Sequence, residues 1–150
     1  MRRLHSIATI ILLLGLAGCG GDGLRRVPVQ GKLTARGTPL ANATLQFIPM
    51  DSTKGEGGIA KSESDGTFVL IGSRAGEKAI VPGKYKVRVS RLVGRDGSTL
   101  PDDAKQADYP DAKESVPSPY SSINSPLEAT VPEEGGTVNV DVPVKVLGGK

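Results

Sequence analysis

From Val27 onward apolar and polar residues alternate with a period of two, the mark of half-buried strands rather than helices. Val27, Val29, Gly31 and Leu33 alternate with Gln30, Lys32 and Thr34 until Arg36-Gly37-Thr38-Pro39 breaks the run. A second strand is predicted from about Ala43 to Ile48. Pro49 and the glycines at 55, 57 and 58 mark a loop, and Ile59 to Ser64 and Thr67 to Ile71 then flank Asp65-Gly66. That dipeptide accepts positive φ, so it predicts a hairpin turn. Pro82-Gly83 opens a fifth strand, with Tyr85, Val87 and Val89 on one face and Lys84, Lys86, Arg88 and Ser90 on the other.

The alternation stops between Leu92 and Pro126. Pro101, Pro110, Pro117, Pro119 and Pro126 exclude long regular structure there, so residues 92–126 are expected to be a long irregular excursion. Leu127 to Val131 resumes a strand, Glu133 to Gly136 turns, and valines at every second position from 138 to 146 give the longest alternation in the chain. Pro143 falls on the opposite face of that run, and a residue without an N–H places the strand at a sheet edge. The pattern predicts an all-β fold, an antiparallel β-sandwich of about seven strands. Phe47, Phe68 and Tyr85 lie on predicted strands and are expected to anchor its core.

The N-terminal stretch has another pattern. Arg2 and Arg3 precede an apolar run from Ile7 to Ala17, too short for a membrane span of about 20 residues, and Leu16-Ala17-Gly18-Cys19 closes it. This ending resembles the lipobox of bacterial lipoproteins. The resemblance implies cleavage after residue 18 and acylation of Cys19, the only cysteine. The expected organisation is a signal peptide over 1–18, a flexible lipidated tether over 19–26 and a β-sandwich domain over 27–150. Gly20, rather than an aspartate, follows the cysteine, which under the familiar sorting rule permits export to the outer membrane. Arg25 and Arg26 could touch anionic headgroups, although paired charges in a linker are more often simply solvated.

Loss of the signal alters the composition. Of 150 residues 132 remain, enough for one domain with a modest core. Without Arg2 and Arg3, 17 basic residues face 16 acidic ones, a net charge of +1. No basic run or aromatic platform is present, so nucleic acid is not an expected partner. Acylation of Cys19 leaves no thiol for a disulfide. His5, the sole histidine, departs with the signal, removing His-dependent triads, general bases and histidine metal sites.

Little else suggests chemistry. Asp96, Asp102, Asp103, Asp108 and Asp111 form the one carboxylate cluster that calcium could use, but their spacing fits no EF-hand loop, and acidic residues among prolines are usually a solvated loop. No Gly-x-Ser-x-Gly elbow or Ser-x-x-Lys motif is present, and Gly20-Gly21-Asp22-Gly23 lacks the strand and Lys-Ser/Thr ending of a phosphate loop. No catalytic, cofactor or metal residue is assigned.

Val29-Gln30-Gly31-Lys32-Leu33, Gly37-Thr38-Pro39-Leu40-Ala41-Asn42-Ala43-Thr44-Leu45-Gln46-Phe47, Asp65-Gly66-Thr67-Phe68 and Pro82-Gly83-Lys84-Tyr85-Lys86-Val87 resemble the transthyretin-like, carboxypeptidase regulatory-like sandwich of small bacterial envelope lipoproteins. Ser125-Pro126-Leu127 fits the same pattern. These are turn and core positions, so the resemblance implies a fold and scarcely any chemistry. The hydrolase branch of that group uses histidines and a Tyr-Arg-Gly-Ser ending, whereas this chain ends Leu147-Gly148-Gly149-Lys150. The expected function is therefore a non-catalytic, lipid-anchored envelope module, structural or interactive. Its partners would be the membrane and an envelope protein or glycan, with residues 92–126, including Tyr109 and Tyr120, as the contact surface. The alternative is a carrier of a small ligand or carbohydrate.

Overall fold

The computed structural model describes residues 22–74, 77–101, 104 and 106–148. Its strands are β1 Val29–Ala35, β2 Thr38–Pro39, β3 Thr44–Pro49, β4 Gly58–Lys61, β5 Thr67–Val69, β6 Ile71–Gly72, β7 Gly83–Ser90, β8 Leu92–Val93, β9 Lys113–Glu114, β10 Glu128–Val131, β11 Gly136–Thr137 and β12 Val140–Val142. One 3-10 turn, Gln106–Asp108, is the only helical element among the described residues. The protein is all-β, as the alternation predicts.

One sheet runs β10-β7-β3-β4-β6 with every pairing antiparallel. The other is built on β1, which takes β5 and β2 antiparallel on one edge and β11 and β12 on the other. The contacts with β11 and β12 are parallel, a departure from the antiparallel expectation. Parallel pairing needs a crossover, and the chain supplies one by leaving β10 in the other sheet and turning through Pro132 to Gly135 to start again beside Val29.

Period two puts one face of every strand inside. Leu33, Leu45, Phe47, Leu70, Tyr85, Val87, Val89 and Val142 are all but fully buried. Phe47 lies 5.9 Å from Tyr85 and 6.3 Å from Phe68, ring centre to ring centre, in tilted contacts that favour edge against face. The three aromatics are core anchors, as expected from their phase.

The Asp65-Gly66 turn forms, with Gly66 at φ 82° and Asp65 Oδ1 accepting from the Thr67 N–H. Its arms pair, the Glu63 N–H donating to the Thr67 carbonyl and Ile59 standing opposite Ile71, but the second arm also changes sheets. β5 pairs with β1, while β6, beginning two residues later, pairs with β4, so the run 67–72 crosses from one sheet to the other and ties them at a corner. The C-terminal strand is shorter than its valines suggest, because Pro143 follows β12 and cannot continue a ladder. Val144 and Val146 nevertheless pack against the core. β12 pairs with β1 alone among the described strands and so forms the edge that Pro143 indicated.

Candidate functional site

A strand that crosses between sheets shows its outward residues on both. On the run 67–72 these include Val69 and Ile71, which are 49% and 39% exposed, and Ile71 stands opposite Ile59, 49% exposed. Three neighbouring aliphatic residues thus occupy positions where the solvent face of a sheet is normally polar. Beside them lies an open groove of about 690 Å³ lined by Gly31, Phe68 and Val69 and by Lys32, Lys61 and Lys78, with Glu63 the one carboxylate among the described residues. The sequence does carry a signal for it. Phe68-Val69-Leu70-Ile71 is apolar at consecutive positions, so an inward phase cannot account for all four.

Residues 92–126 divide into two parts. From Lys113 onward the segment is bound to the sandwich: Glu114 accepts from Ser90 Oγ, the Arg91 N–H and the Val116 N–H, and Val116 and Ser125 are buried. Its carbonyls fill the β7 edge that β10 leaves open, Tyr120 accepting from the Val89 N–H and Leu127 from the Val87 N–H. Arg88 Nε donates to the Ser121 carbonyl across the same boundary. Tyr120 packs against the core instead of being presented, which corrects the expectation that both tyrosines face a partner. Tyr109, in the outer part, borders a cleft of about 200 Å³ with Arg95, Asp108 and Asp111.

Asp96 accepts from the Ser98 N–H and hydroxyl, bonds that lower its pKa, while Asp102 and Asp103 lie outside the described residues. Among the described residues no three acidic, cysteine or histidine side chains form a group that could hold a metal. Cys19 also lies outside them.

The chain leading to β1 departs from the flexible tether predicted for it. Asp22 receives Arg26 and Arg74, each at 2.6 Å, and Arg25 pairs with Glu134 at 2.9 Å. The Arg26 hydrogen bond, with a second from the Leu24 N–H, holds the Asp22 carboxyl far below its ordinary range. Val27 then bridges to Ile80. From Asp22 on, the tether belongs to the domain, and Arg26 is committed to protein rather than to headgroups.

Comparison with protein families, with curated proteins and with solved structures returned no match. One further side chain went unassigned in the sequence. Arg91 is 4% exposed, with Nε donating to Ser115 Oγ and Nη2 to the carbonyls of Leu147 and Gly148. Its phase is the missed signal: position 91 continues the inward series 85, 87, 89, and a cation buried in phase must find acceptors.

Proposed function

We propose that the protein is a non-catalytic, lipid-anchored module of the bacterial envelope that works by holding a partner against its β-sandwich. The exposed strip Ile59, Val69 and Ile71 carries this reading, since contiguous apolar side chains on a solvent face, rimmed by polar ones, are characteristic of binding surfaces. The lipobox-like run ending in Cys19 supports the anchor, and the turn and core residues support a transthyretin-like sandwich. The contact surface moves from the irregular segment to the groove, because the inner half of that segment is occupied in covering β7.

A photo-crosslinking amino acid placed at position 69, with position 133 as control, tests both parts in native envelopes. Crosslinks to a discrete partner are expected from 69 alone and in the membrane fraction, with Cys19→Ala releasing the chain to the soluble fraction. Two or three acyl chains hold far more firmly than one. Retention of Cys19→Ala on membranes would remove the anchor, and equal labelling from both positions would remove the groove.

A further inference from the structure

A second depression, of about 360 Å³, lies at the far end of β1, bordered by Arg36, Arg91 and Lys145. Leu40, buried, and Val146, half-buried, give it an apolar floor. Among the described residues no acidic side chain lines it. Two carboxylates bonded to residues next to the cleft or lining it are engaged: Asp141 accepts from Thr34 Oγ1 and the Gly37 N–H, and Glu114 from Ser90, Arg91 and Val116. The Arg91 guanidinium uses Nε and Nη2 to hold Ser115 and the C-terminal carbonyls, and Nη1 takes no part in these bonds. Since no buried side-chain nitrogen or oxygen among the described residues lacks a partner, Nη1 reaches solvent-accessible space, and the cleft lies at that side chain. Burial lowers the pKa of Arg91, the signature of a cation whose lost hydration is not fully replaced.

Three cations around a small concavity select an anion, and the floor selects its body. A phosphate, with three acceptor oxygens, is usually held by a nest of backbone N–H groups. In the turn after β1 those groups are taken: the Arg36 N–H by the Val142 carbonyl, the Gly37 N–H by Asp141, and the Leu40 N–H by the Leu33 carbonyl. What remains is one fixed guanidinium nitrogen flanked by two exposed side chains over aliphatic carbon, a match for a single negative charge on a short apolar stem. We infer that the cleft between Arg36, Arg91 and Lys145 is a binding site for a small organic carboxylate, its charged end on Arg91 Nη1 and its carbon chain on Leu40 and Val146. The site is separate from the groove of Val69 and Ile71 and does not depend on the lipid anchor.

The test is titration of the full chain, in non-ionic detergent, with butyrate, acetate, butyramide and inorganic phosphate, followed by the NMR signals of Leu40, Arg91 and Val146. Butyrate should shift them saturably with a Kd of about 1 mM, acetate should bind more weakly, and butyramide should leave them unmoved. Arg91→Gln removes the C-terminal staple as well and can fail by unfolding. The decisive variant is therefore Arg36→Gln with Lys145→Gln, both exposed and neither making a side-chain hydrogen bond or ion pair among the described residues, which should raise the Kd about tenfold. The inference is overturned by absent saturation, by equal binding of butyramide, by an unchanged Kd in the double variant, or by phosphate binding more tightly than butyrate.

Discussion

Gly31 shows how much one position can decide. On β1 it faces the Phe68 ring, and a Cβ added there would fall on the Val138 carbonyl oxygen, whose own N–H is bonded to the Gln30 carbonyl. Where the parallel ladder is interrupted, between β11 and β12, the Asn139 side chain accepts from the Lys32 N–H in place of backbone. Gly31→Ala is expected to cost about 3 kcal/mol, the upper end for an overpacked interior, read as a lowered urea midpoint with an unchanged slope. An unaltered midpoint would mean that the contact yields easily. At this scale the sequence was informative about Phe47, Phe68 and Tyr85, because burial there follows phase. It was silent on Gly31, whose importance comes from a carbonyl 107 residues further along, and nearly silent on Arg91, whose phase shows only once the strand is continued past Ser90.

Among the elements, the segment after Leu92 differs most from its appearance. Five prolines announced irregularity, and irregularity is present, yet residues 113–127 serve as an edge cover that blunts an otherwise open strand. Periodicity cannot reveal such a role, since a chain that lends single carbonyls to a neighbouring strand need not alternate. Glu114 is the clasp, with three accepted bonds joining β7 to this segment. Glu114→Ala should therefore speed amide exchange across 113–122 by at least about tenfold, each charge-assisted bond being worth roughly 1.5–3 kcal/mol, while amides of β3 keep their protection. Equal acceleration in β3 would show the segment to be part of the global folding unit. The strand split at Leu70 was likewise hidden, because a hairpin signal pairs its two arms, as Ile59 with Ile71, without telling that one arm also joins a second sheet.

Across the whole molecule, the sandwich was legible and its attachment was not, because glycine and charge read as linker until Arg74, 52 residues away, is seen to reach Asp22. The Asp22 carboxyl titrates below its ordinary 3.8, so the docked arrangement binds fewer protons than the undocked one. The pairing's contribution to docking is fully present above about pH 4, shrinks as the pH falls below it and is gone below the lowered value. A nitroxide at position 24 should be more mobile near pH 2 than at pH 6, with Arg74→Ala moving the onset of mobility upward; mobility independent of pH would contradict the pairing. On the proposed anchor, three residues span from Cys19 to Asp22, at most about 11 Å of chain, and β1 carries its far end roughly 20 Å beyond Val29. The carboxylate cleft then stands at the pole remote from the bilayer. The parallel pairing of β1 with β11 and β12 acquires a mechanical meaning in that setting. A pull between the membrane and whatever grips the C-terminal segment acts along two strands that lie side by side and point the same way, so their ladder bonds are strained together in shear. With the proposed anchor, such a pull would load the fold in its stiff direction rather than unzip it bond by bond.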